Sequence, residues 1–132
     1  MEPSELDADV IEFAHRMFEA ARNGWVDDLE RNLKAGLPPN LTNDKGDTLL
    51  MLAAYHDHPD AVRVLLEAGA DTSRSNDRGQ TALCAAVFRQ NEVTVRALLA
   101  AGADPDAGGP TAREMAAFFQ LPAMTALLDE PR

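Results

Sequence analysis

Residues 65–71 read LLEAGAD and residues 98–104 read LLAAGAD, so six of seven letters return after 33 positions. The same offset joins Gly36, Gly69 and Gly102, and it pairs Gly46 with Gly79 and Thr48 with Thr81. A fixed period of this size constrains the chain more than any local signal. It calls for like units, each unable to bury its apolar face alone, that share a continuous core once stacked.

Aligned on the period, the units are FEAARNGWVDDLERNLKAG from Phe18, MLAAYHDHPDAVRVLLEAG from Met51, CAAVFRQNEVTVRALLAAG from Cys84, and a shorter EMAAFFQLPAMTALLDE from Glu114. Each carries two helical patterns with a break between them. In the second unit Thr48 is the expected N-cap of a short helix through Ala53 and Ala54. Pro59 stands where the first turn of the next helix tolerates a missing N–H. Val62, Leu65 and Leu66 then recur at helical spacing, and Gly69 is expected to end the helix in a left-handed conformation. Asn91 and Pro122 occupy the corresponding opening positions later on.

These residues resemble the ankyrin repeat, whose pattern runs roughly D-x-x-G-x-T-P-L-H-x-A-A, then G-H, then V-V-x-L-L-L-x-x-G-A-D. The second unit supplies Gly46, Thr48, Leu50, Ala53, Ala54, Leu65, Leu66, Gly69, Ala70 and Asp71. The third supplies Gly79, Thr81, Leu83, Ala86, Leu98, Leu99, Gly102, Ala103 and Asp104. The family's Pro is replaced by Leu49, Ala82 and Ala112, and its His by Met51, Cys84 and Glu114; those losses should weaken the hydrogen bonding of each turn without changing the fold. The resemblance implies an all-α solenoid of stacked helix-turn-helix units with short hairpin-like fingers. A single domain over 1–132 is expected, with a capping repeat at 1–36, repeats at 37–69 and 70–102, and a second cap at 103–132.

The end units read as caps. Asp28, Arg31 and Asn32 stand where the second unit has Ala61, Val64 and Leu65, so one side of the first outer helix is polar. Upstream, Val10, Phe13, Ala14, Met17, Phe18 and Ala21 form one helical stripe, which predicts a first helix longer than its counterparts, with Ser4 and Asp7 as candidate starting caps. Gly102 to Thr111 is nine positions where Gly69 to Thr81 is twelve, so the last finger should be short.

Hydrophobic residues make up 45% of the chain but aromatics only 5%, so the core must come mainly from Ala, Leu, Val and Met, with closely approaching helices. The net charge of −10 argues against nucleic acid, whose phosphates require a Lys/Arg stripe. Nine acidic side chains against Arg16 and Arg22 in the first thirty residues place most of the negative field at the N-terminal end. One cysteine, no secretory leader pattern and no long apolar run lead us to expect a cytoplasmic protein with no membrane contact. Ten Arg against two Lys, with abundant Ala, resembles the coding bias of a high-GC bacterial gene.

Catalysis is not expected. The glycines fall at repeat turns, not in a phosphate-binding loop, and Ser4, Ser73 and Ser75 lie in no nucleophile elbow. His56 and His58 with Asp57 and Asp60 suggest a metal, but i,i+2 positions point apart. His58 is read as the family's structural His, His56 as a solvated residue and His15 as a plain surface or packing residue. Cys84 near a helix start could have a lowered thiol pKa, although a buried core thiol is the expected reading. Neither metal nor cofactor is expected.

Stacking turns equivalent positions into lines across the molecule. The position after the Ala-Ala pair reads Arg22, Tyr55, Phe88 and Phe118, and the next reads Asn23, His56, Arg89 and Phe119. In ankyrin-like folds these end the inner helix on the concave side, where partners dock, and the finger tips add Asp44, Lys45, Asp47, Asp77, Arg78 and Gln80. Aromatics ringed by Arg and carboxylates suit an interface; the alternative is that the rings fill space between helices, with Phe119 buried against the last outer helix. Trp25 is expected to pack against Leu29 or the second unit. The expected function is non-catalytic binding of a cytoplasmic partner protein with a basic patch, as an accessory or regulator of an enzyme. An immunity or antitoxin-type inhibitor masking a basic toxin is the alternative.

Overall fold

The computed structural model describes residues 3–131, with side chains from residue 8 onward. Among the described residues eight helices follow one another: α1 (Pro3–Asn23), α2 (Val26–Lys34), α3 (Leu49–Tyr55), α4 (Pro59–Glu67), α5 (Ala82–Arg89), α6 (Glu92–Ala100), α7 (Ala112–Phe118) and α8 (Pro122–Asp129). They pack as four antiparallel pairs in two layers. The inner row runs α1, α3, α5, α7 and the outer row α2, α4, α6, α8, each helix against its neighbour in the next repeat.

Local chemistry sets the ends of these elements. Thr48, Thr81 and Thr111 cap the inner helices, their hydroxyls accepting from the backbone N–H of Met51, Cys84 and Glu114 at 3.1, 3.1 and 3.0 Å. Such a cap stabilises its helix by about 1 kcal/mol. At Glu114, where the family pattern has His, the carboxylate accepts from Thr111 N–H and closes a reciprocal capping box, so this departure is compensated locally. The outer helices open at Pro59, at Pro122, and after Asn91, whose side chain accepts from Thr94 N–H at 3.1 Å.

The outer helices of the first three repeats close alike. Gly69 takes φ +89, its N–H bonds Leu66 O, and Ala70 N–H reaches back to Leu65 O at 3.0 Å. This double bond pattern satisfies carbonyls that the helix end would otherwise leave unpaired. Gly36 and Gly102 repeat it, with Leu37 N–H on Asn32 O and Ala103 N–H on Leu98 O.

Alanines Ala20, Ala21, Ala53, Ala54, Ala86 and Ala116 are buried on the inner row, letting those helices approach closely, while Leu29, Leu65, Leu98 and Leu128 fill the space behind them. The predicted small-residue core is the one observed. The first helix is long, at 21 residues, but it begins at Pro3, so Ser4 and Asp7 lie inside it and do not cap it; their side chains lie outside the described residues. At the N-terminal end Asp28 pairs with Arg31 at 2.6 Å and Arg16 at 3.6 Å, and accepts from Asn32. At the other end Arg113 pairs with Asp106 and Asp129, and Arg96 bridges Glu92 and Glu130.

Candidate protein-binding face

The fingers are built from Asn43 and Asn76, 33 residues apart and identical in use. Asn43 Oδ1 accepts from the N–H of Lys45 and Asp47 at 3.0 and 2.9 Å; Asn76 Oδ1 accepts from Arg78 and Gln80 at the same two distances. Neighbouring fingers bond to one another, Asp77 N–H to Lys45 O at 3.0 Å and Gly109 N–H to Gly79 O at 2.9 Å. The approach at Gly79 is close enough that a Cβ there would stand 2.8 Å from Gly109 O. Neighbouring fingers are therefore tied to one another along the row. Between α1 and the first finger lies a groove of about 450 Å³, with Ile11, Phe18, Glu19 and Arg22 on one wall and Thr42 to Asp44 on the other.

On the inner row Phe18 of α1 is in the core, whereas the aromatics at the ends of α3, α5 and α7 are outside it. Tyr55, Phe88, Phe118 and Phe119 are all exposed, so they do not fill space between the helices. Tyr55 and Phe88 lie parallel, 2° apart with centroids 6.0 Å from each other. The sequence alignment puts Phe118 at the third rung, but it is Phe119 whose ring meets Phe88 edge-on at 5.9 Å. Phe118, 78% exposed, touches the ladder only through Phe119. Phe119 is thus not buried against α8, since its position one residue later tilts it back toward the preceding repeat. Aromatic pairs of this kind contribute about 0.5–1.5 kcal/mol beyond burial, and the exposed rings remain available to a partner.

His56 stands edge-on to Tyr55 at 5.2 Å. It is half-buried, not a solvated residue, and burial followed by the positive charge of Arg22, with smaller contributions from His58 and Arg89, lowers its pKa from 6.5. His58 has the expected structural role, its Nε2 lying 2.9 Å from Arg22 O. His15 is an exposed residue on the wall of the α1 groove. Cys84 is buried, and desolvation pushes its thiol pKa up, which removes the reactive reading.

Trp25 departs from expectation, being 48% exposed. The reason is positional. In the following repeats the equivalent side chains reach back onto the preceding repeat: His58 to Arg22 O, and Asn91 Nδ2 to Asp57 Oδ1 at 2.5 Å. Trp25 belongs to the first helix pair, and the described residues before it form α1 and offer no equivalent turn to receive it.

The predicted finger residues divide into two groups. Asp47 and Gln80 are engaged, both accepting from Asn76 Nδ2 at 2.8 and 3.0 Å, while Asp44, Lys45, Asp77 and Arg78 project from the tips. Arg22 pairs with Glu19. Among the described residues eight of the Lys and Arg side chains have a carboxylate partner, and Lys45, Arg78 and Arg89 do not. All three lie on the fingers or at the end of an inner helix. This partition is not legible from residue order, because pairing depends on which residues the stack brings together.

Comparison with known proteins agrees with this geometry. The family description "ankyrin repeats (3 copies)" matches residues 17–108. A curated relative, an ankyrin repeat protein of Pseudomonas aeruginosa, is 57% identical over 60 residues, a stretch that is 46% of this chain and 35% of the relative. The match thus spans about a third of that relative's length. Ankyrin repeats are in general protein–protein interaction modules, and the chain belongs to the ankyrin-repeat family.

Proposed function

We propose that this chain is a non-catalytic binding module whose concave face, formed by the fingers and the ends of the inner helices, holds a cytoplasmic partner protein such as an enzyme that it supports or restrains. The observation that carries this reading is the run of exposed, mutually touching rings Tyr55, Phe88 and Phe119, bordered by His56 and Arg89. Rigid aromatics lose little entropy on binding and dominate interface hot spots. Monomeric surfaces seldom leave such a patch open without use.

The acidic end of the same face supports a basic patch on that partner. Glu19 and Asp44 flank the groove beside α1, and Asp9 and Glu12 extend the negative charge along the helix. An inhibitor that masks a basic site on a toxin rests on the same acidity and is the second reading. It requires the captured protein to lose an activity when bound.

The test is site-specific photo-crosslinking in the native cell, with a photoreactive residue in place of Phe88 or, as a control on the outer row, Arg63. A protein captured from position 88 and not from 63 supports the reading. Equal capture from both positions, or capture from 63 alone, rejects the concave face.

A further inference from the structure

The chain's net charge and the local charge of its aromatic ladder point to different partner groups. Net charge −10 favours basic groups, and the α1 groove follows that sign. The ladder does not. Arg89 follows Phe88 directly, is exposed, and has no carboxylate within ion-pair reach among the described residues, although the chain carries 22 acidic side chains. The other unpaired cations, Lys45 and Arg78, each stand beside an acid in sequence, Asp44 and Asp77, whereas Arg89 is flanked by Phe88 and Gln90. The last repeat adds Phe118, Phe119 and Gln120 to this region and no acid at those positions.

From this we infer that the segment received by the ladder is an apolar stretch of a protein partner bearing a carboxylate that pairs with Arg89, so that the partner lies across the face with its acidic end over repeats three and four. The inference rests on the concave-face reading above. A guanidinium beside aromatic rings is partly dehydrated once a partner covers it. Its pairing with a carboxylate then counts for more than at an open surface. The field acting on His56 is consistent: Arg22, His58 and Arg89 all disfavour its protonation, and Glu19 opposes them least strongly of the charges that act there. A nucleic acid fits less well, because it would bring a phosphate at every nucleotide to a chain of strongly negative charge. One or two carboxylates among apolar side chains need only Arg89.

A displayed library of random linear peptides, selected against the full chain, tests this. Peptides held by the wild type should combine Leu, Ile, Phe or Trp with Asp or Glu. Binding of a selected peptide should fall at least about tenfold in Arg89→Glu and likewise in Phe88→Ala, and stay unchanged in Arg63→Glu on the outer row. Melting curves would establish that each variant is folded, with Tyr55→Ala as a second ladder variant. Selected peptides rich in Lys or Arg that still depend on Phe88 would overturn the carboxylate and leave the face intact. Peptides indifferent to both Phe88→Ala and Arg89→Glu, or no enriched peptide at all, would overturn the face as well. Tighter Phe88-dependent binding of oligodeoxythymidylate than of any selected peptide would replace the protein segment with a nucleic acid.

Discussion

The ring of His58 joins the first two repeats by bonding the carbonyl of Arg22, 36 residues earlier, through Nε2 at 2.9 Å. A carbonyl can only accept, so Nε2 carries the proton. The same ring lies over Gly24, where a Cβ would stand 2.5 Å from Nδ1 with φ at +73. Gly24→Ala therefore meets two separate penalties, the left-handed backbone at about 1 kcal/mol and displacement of the ring that links the repeats. Urea denaturation of a double-mutant cycle separates them. In a His58→Ala background Gly24→Ala should cost only the backbone part, and full additivity would show that the ring is not what excludes the side chain.

The turn between the two helices of every repeat passes through the left-handed region, and only the first repeat places glycine there. Gly24, Asp57, Gln90 and Gln120 have φ of 73, 67, 56 and 54. A non-glycine residue in that region costs about 1–2 kcal/mol, so Gln90→Gly should raise stability by roughly 0.5–1 kcal/mol after the added entropy of the unfolded chain. Asp57→Gly should gain less, since Asp57 accepts the bond from Asn91. The opposite sign is expected at Gly69, also left-handed but with no atom near a built Cβ, where Gly69→Val should cost at least about 1 kcal/mol through backbone conformation alone. Denaturation midpoints that move the same way for Gln90→Gly and Gly69→Val would refute this account.

Much of the fold was legible in the sequence because its signals repeat. Thr48 and Thr81 cap, Pro59 and Pro122 open helices, and Gly36, Gly69 and Gly102 end them, each through chemistry within a few residues. The left-handed turn at Gln90 and Gln120 was not legible, because neither residue type signals it. Trp25 and Phe119 were misplaced for a different reason: their environment is set by the neighbouring repeat, and a period alone does not say which way a side chain leans. The separation of paired from unpaired cations is of the same kind, with Arg96 meeting Glu130 across 34 residues and Arg89 meeting no carboxylate among the described residues.

Thr94 sits in the first turn of α6, 1% exposed, and its hydroxyl has no hydrogen-bond partner among the described residues. A buried hydroxyl without a partner costs about 1–3 kcal/mol, and valine keeps the branched shape. We expect Thr94→Val to stabilise the protein by about 1 kcal/mol. A calorimetric melt showing a lower Tm for the valine variant would mean that the hydroxyl is satisfied in solution.

The lowered pKa of His56 gives a pH dependence of definite sign. Its folded value lies below the unfolded value of 6.5, so between the two the unfolded chain binds more protons. The neutral ring's contribution is complete above pH 6.5 and is lost as the pH falls from there to the folded pKa. His56→Gln should therefore lose less stability than the wild type on going from about pH 7.5 to about pH 5.5. Parallel Tm-against-pH curves for the two proteins would place the acid sensitivity elsewhere.

Replacing Tyr55, Phe88 and Phe119 together by Ala separates binding from folding. The rings are exposed and touch mainly one another, so their removal forfeits ring–ring contacts of about 0.5–1.5 kcal/mol each and opens no core cavity. The triple variant should keep its helical circular dichroism and a cooperative transition, with a modestly lower Tm. Capture of the partner should be lost, and Trp25→Ala at the end of the stack should leave that capture unchanged. A triple variant that melts below room temperature would mean that the ladder supports the inner row of helices; one that folds and still captures the partner would show that the partner binds elsewhere.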